Sequence, residues 1–80
     1  MMDDGFELIG AIDQFEIIAV NRSIKYRRRL IERFGGRRWR KLKGVGTVRF
    51  PNGEVARAEL HWYEAHGVGR RLMKVKRRLD

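Results

Sequence analysis

The side chains best suited to chemistry lie close together in the stretch Glu54 to His66, EVARAELHWYEAH. His61 carries an imidazole, which exchanges protons near neutral pH and could act as a general acid or base on RNA. Tyr63 offers a flat ring on which a nucleobase can stack. Side chains alternate along a strand, so Arg57, Glu59, His61 and Tyr63 share one face. Ala56, Ala58, Leu60 and Trp62 share the other. The competing explanation is structural: a polar His61 and a solvated Tyr63 on an ordinary strand. His61 and His66 fall on opposite faces and should not share a metal. No other ligand set is visible, so neither a metal nor a cofactor is expected. Ser23 is the one serine, without a visible base partner. Glu59 and Glu64 point apart, so no paired carboxylates arise.

The turns on either side fix how this strand is neighboured. Pro51-Asn52-Gly53 suits a three-residue hairpin loop that pairs Phe50 with Glu54, Val48 with Ala56 and Gly46 with Ala58. Gly67-Val68 suits a two-residue loop pairing Glu64 with Arg71, Trp62 with Met73, Leu60 with Val75, His61 with Lys74 and Glu59 with Lys76. The spacing therefore predicts an antiparallel meander over 44–50, 54–66 and 69–77. Its polar face would carry Arg49, Arg57, His61, Tyr63, Lys74 and Lys76. The segment His66 to Arg71, HGVGRR, has glycines and arginines suited to a phosphate. It lacks the Gly-Lys-Ser/Thr ending of a nucleotide-binding loop and leads into a strand.

Upstream, Asn21 offers a helix N-cap, residues 22–34 alternate with helical period, and Gly35-Gly36 offers a stop. Ile24, Leu30, Ile31 and Phe34 form the apolar stripe. Arg22, Lys25, Arg29 and Arg33 lie opposite. The small residues Gly46, Ala56 and Ala58 suggest that this helix packs on the apolar sheet face. Arg37 to Lys43, RRWRKLK, reads as a basic connector anchored by Trp39 and Leu42, with base stacking by Trp39 as the alternative. Residues 14–20 suit a strand buried on both sides, with a further strand over 6–10; a helix competes there. The expected fold is α+β: a three- or four-stranded antiparallel sheet packed on one face by helix 22–34. The alternative is a small SH3-like barrel over 40–80, with the helix as an appendage.

Eighty residues bound this to a single domain, 1–80, with residues 1–5 frayed. The core is small, and monomer and homodimer are both compatible with it. Cysteine is absent, which excludes disulfides and thiolate chemistry. The acidic start has no basic region for a secretory signal, and no apolar run approaches the roughly 20 residues of a membrane helix. A bacterial, cytoplasmic protein without a membrane partner is expected.

Charge is the strongest signal, at a formal net +9. Residues 1–20 hold Asp3, Asp4, Glu7, Asp13 and Glu16 and no basic residue. All 19 lysines and arginines follow. Such a field favours polyanions. The leading expectation is a nucleic-acid-binding module, for RNA or single-stranded DNA above a specific duplex. Arg49, Arg57, Lys74 and Lys76 would hold phosphates, Tyr63 would stack, and Arg37, Arg38, Arg40 and Lys41 would extend the footprint. Two alternatives stand beside it: a metal-independent endoribonuclease using His61, and a module for an acidic protein partner. The acidic start could also mask the basic sheet in cis.

RWRKLKG and AELHWYEAHGVGRR resemble segments shared by a group of small uncharacterised bacterial proteins, a likeness that implies no activity. A helix followed by a basic antiparallel sheet is also similar, at the level of fold, to the RelE/ParE toxin superfamily. That resemblance implies cleavage of ribosome-bound mRNA or attack on gyrase, and a toxin–antitoxin setting. The chain departs from the pattern in being short, in lacking the usual helical pair before the sheet, and in having no catalytic C-terminal tail.

Overall fold

A computed structural model describes residues 5–80; the expected fraying of 1–5 lies, except for Gly5, outside them. The described chain is an α+β unit, one four-stranded antiparallel sheet in the order β1-β2-β3-β4 with one α-helix. The elements are β1 (Glu7–Val20), α1 (Arg27–Phe34), β2 (Arg40–Arg49), β3 (Val55–Ala65) and β4 (Gly69–Arg78).

The first hairpin follows the turn chemistry. Val48 faces Ala56 and Gly46 faces Ala58. The Phe50 amide donates to the Glu54 carbonyl at 2.8 Å, and Asn52 Oδ1 accepts from the Glu54 amide at 3.0 Å. The second hairpin closes through a loop one residue longer than expected, 66–68, with Ala65 opposite Gly69. Glu64 therefore faces Arg70 rather than Arg71. A bulge at Leu72, whose φ is +54°, restores the expected pairs His61–Lys74 and Leu60–Val75. A further irregularity beyond Leu60 puts Arg77, not Lys76, opposite Glu59.

The N-terminal segment is one long strand rather than a short one with a separate neighbour. Its irregular alternation has a physical cause: three register shifts against β2, between Ile9 and Asp13, Asp13 and Glu16, and Ile17 and Ala19. Each extra residue bends the strand and swings a new side chain across the sheet. Phe6 and Ile12 thereby close over Leu42, Val48, Ala58, Leu60, Trp62 and Met73, forming the main core. Trp62 has no exposed surface, and burying a side chain of this class contributes about 1.5–3 kcal/mol. The closure leaves no room for a helix on that face. Gly44 lies so close beneath β1 that a β-carbon there would sit 2.5 Å from Ile12 Cγ2.

The helix accordingly packs on the opposite face, against the Tyr63 end, which corrects the expected placement. It is also shorter than 22–34. Asn21 has φ +43°, outside the extended range of an N-cap, and Ser23 Oγ is bonded to both the amide and the carbonyl of Val20. Residues Asn21–Ser23 form a 3-10 turn, and Ile24, in extended geometry, is buried. Leu30 joins Ile24, Trp39 and Ala65 in a second core, flanked by Ile31, Phe34, Tyr63, Val68 and Leu72. Gly35, at φ +71°, ends the helix with its amide donating to the Ile31 carbonyl at 2.8 Å. Trp39 is fully buried and donates to the Gly35 carbonyl at 3.0 Å, so it anchors rather than stacks. The expected connector 37–43 contracts to 37–39, since Arg40 to Lys43 already belong to β2.

Candidate nucleic-acid interface

The sheet face bearing Tyr63 divides into two halves of different charge. On the half nearer the first hairpin, acids of β1 reach the cations of β2 and β3. Glu7 pairs with Arg49 at 2.8 Å, Asp13 with Arg57 at 3.2 Å and Glu16 with Lys43 at 3.6 Å. Register explains this, because Glu7 lies opposite Arg49 and Glu16 opposite Lys43. Arg57 also donates to Thr47 Oγ1 at 3.2 Å. Arg40, on the core-facing side, holds Glu64 at 2.7 Å, and Glu64 in turn accepts from Trp62 Nε1 at 2.9 Å. Three expected phosphate contacts, Arg40, Arg49 and Arg57, are thus already matched by carboxylates within the chain.

On the other half, α1 overhangs the sheet and leaves a cleft of about 430 Å³. Leu30, Phe34, Leu72 and the Tyr63 ring supply its apolar surface, and Tyr26 its outer edge. Four cations from three elements surround it: Arg29 and Arg33 from α1, Lys41 from β2 and Lys74 from β4. No carboxylate lines it, and among the described residues none of the four forms an ion pair. The crowding is visible at Lys41. Burial holds its ammonium below the ordinary lysine range, and repulsion from Lys74, then Lys76 and Lys25, lowers it further. Cations gathered without an acid give the cleft a positive potential.

The aromatic rings carry cations. Lys41 Nζ lies 5.6 Å from the Tyr63 ring centroid and the Arg29 guanidinium 5.8 Å from that of Tyr26. Burial, aided by Tyr26, raises Tyr63 above the ordinary phenol range, so its hydroxyl remains a neutral donor. The two arginines of HGVGRR separate: Arg70 lies over Trp62 and Phe15, whereas Arg71 lies over Phe34. Arg37 and Arg38 are exposed beside α1, along a shallow surface shared with Arg22 and Arg27.

His61 lines the cleft but is not displayed as an exposed base; its side chain is 10% exposed. Nε2 lies 2.7 Å from Glu59 Oε2. Glu59 is held below the ordinary carboxylate range, first by this bond and then by Arg77, so it stays ionised and accepts the proton on Nε2. Nδ1 is buried without a hydrogen-bond partner. Such a group costs about 1–3 kcal/mol while it lacks a partner.

Of the expected residues, the structure brings together Lys41, His61, Tyr63 and Lys74, with Lys76 near enough to act on Lys41. Tyr26, Arg29, Leu30, Arg33, Phe34 and Leu72 complete the cleft and were not foreseen as a site. The i, i+4 spacing of Arg29 and Arg33 is the signal that would have found two of them, given the helix on this face. Among the described residues, no three histidines, aspartates or glutamates gather to hold a metal ion. No described helix is long and apolar enough to cross a membrane. No protein-family model matches the chain, and no match was found among curated proteins or solved structures, so the site is read from its geometry.

Proposed function

We propose that the protein binds RNA or single-stranded DNA through its helix-bearing end. The observation that carries this reading is the convergence of Arg29, Arg33, Lys41 and Lys74, without an acid, around the Tyr63 and Tyr26 rings. Cations of this kind neutralise phosphates, and a cleft with aromatic walls admits a base only when it is unstacked, which favours single strands over duplex. Lys41 would leave the Tyr63 ring for a phosphate as a base took its place. Arg37 and Arg38, exposed on the same side as Arg22 and Arg27, extend the strand's path. Arg40, Arg49 and Arg57 lie outside this footprint because their charges are already matched.

The test is a salt titration with single- and double-stranded RNA and DNA. Log affinity should fall as log salt rises, by about 0.7 for each phosphate that the cations neutralise on a single strand. Replacing Lys74 by glutamate should reduce both affinity and slope, whereas Arg49→Gln should alter neither. A cleavage gel from the same tubes should recover the RNA intact. Undetectable binding at low salt, or equal loss from both variants, defeats the proposal.

A further inference from the structure

The geometry points to one nucleotide unit bearing a phosphomonoester as the occupant of the cleft between α1 and the sheet. This rests on the reading above and narrows it from a strand crossing a basic surface to a single seated residue. That residue is either a strand's phosphorylated end or a free mononucleotide.

The first argument is capacity. About 430 Å³ lies in the range of small-molecule sites and is too little for several stacked nucleotides. The second is the division of the lining. Leu30, Phe34, Leu72 and Tyr63 offer a flat apolar body a surface to cover, while the cations offer an anion a place to stop. A bare phosphate would leave the first unused, and a nucleoside the second.

The third argument is charge. A phosphodiester inside a strand carries one negative charge, whereas a phosphomonoester carries about 1.5 to 2 at neutral pH. Four unpaired cations around one cleft are better matched by the monoester. The lowered Lys41 ammonium fits the same picture, since a nearby dianion relieves the repulsion that lowers it.

The experiment is a titration of the isotopically labelled full chain, followed by its amide resonances. The probes are adenosine 5′-monophosphate, ribose 5-phosphate, inorganic phosphate, and a short RNA with hydroxyl or phosphate ends. Adenosine monophosphate should shift Tyr63, Leu72 and Arg33, with Kd about tenfold below that of inorganic phosphate and ribose 5-phosphate between them. Lys41→Gln and Lys74→Gln should each weaken it about tenfold, and Arg49→Gln should not. End-phosphorylated RNA binding more tightly than hydroxyl-ended RNA assigns the occupant to strand ends. Adenosine monophosphate bound in the cleft with no RNA binding assigns it to free nucleotides and ends the strand reading alone. RNA binding that ignores its end groups, with no cleft shifts from the mononucleotide, overturns the nucleotide site and leaves the strand reading standing. Inorganic phosphate binding as tightly as the mononucleotide overturns it as well.

Discussion

Asp13 lies 3.2 Å from the guanidinium of Arg57, across the width of β2 and 44 residues away in sequence. With Glu7–Arg49 and Glu16–Lys43, it makes β1 an acidic border along one half of the sheet. The pair is partly exposed, so its stabilising effect is about 0–1 kcal/mol. Replacing Asp13 by asparagine should change the denaturation midpoint little. It should release Arg57 and raise affinity for single-stranded RNA about two- to threefold at low salt, converging on the unmodified chain at high salt. A larger loss of stability without a gain in affinity would show that the pair holds the fold and hides nothing.

On the proposed function, Lys41 sets a pH limit on binding. Its folded pKa is lowered by burial and by Lys74, Lys76 and Lys25, so the free protein loses this proton earlier than an ordinary lysine. A bound phosphate favours the charged form. Affinity should therefore be level below the lowered pKa and fall as pH rises through it. Lys41→Arg, which stays charged, should abolish that fall. Stability moves the other way: the unfolded chain keeps the proton in this window, so folding becomes more favourable as pH rises across it. Paired binding and denaturation series at alkaline pH check both signs.

Acid should act through Glu59 and Glu54. The first is held low by His61 and then Arg77, the second by Asn52 and then Arg78. Both folded pKa values lie below the unfolded ones. Their contributions are present above the ordinary glutamate range and are lost as pH falls through the lowered values. Between about pH 5 and pH 3, the double variant Glu59→Gln and Glu54→Gln should lose stability less steeply than the parent chain. Identical slopes would remove these two groups as the cause.

Gly44 allows β1 to lie against the sheet. A β-carbon there would meet Ile12 Cγ2 at 2.5 Å, the Asp13 carbonyl oxygen at 3.0 Å and the Trp62 ring at 3.1 Å. Gly44→Ala should therefore destabilise the protein by about 1–3 kcal/mol, read as a shift in denaturant midpoint. Gly53→Ala, where nothing lies within 4 Å but φ is +92°, separates crowding from backbone strain.

The first hairpin was legible because Pro51-Asn52-Gly53 admits a loop length that makes the faces of β2 and β3 agree. The second was legible only in its middle. Leu72 adopts a left-handed conformation that no residue-type preference announces, and it absorbs the slip between Tyr63 and His61. The placement of α1 was illegible for a related reason. Bulges let Phe6 and Ile12 close the apolar face from β1, and a bulge leaves only an imperfect alternation such as FELIGAIDQFEIIAV. With the helix on the wrong face, Arg29 and Arg33 looked like a solvated side. In the folded chain they stand at the cleft with Lys41 and Lys74. The basic character of the surface was plain from composition. Which cations are matched within the chain depended on the register of β1.

The acidic border of β1 and the unpaired cations around α1 occupy different ends of one sheet, which gives the molecule an electric dipole as well as a net charge. A dipole exerts torque. As the protein diffuses toward a polyanion, its helix-bearing end turns forward before contact, so fewer collisions are wasted in wrong orientations. On the proposed function, the carboxylates of Glu7, Asp13 and Glu16 would thus shape the speed of encounter without touching the ligand.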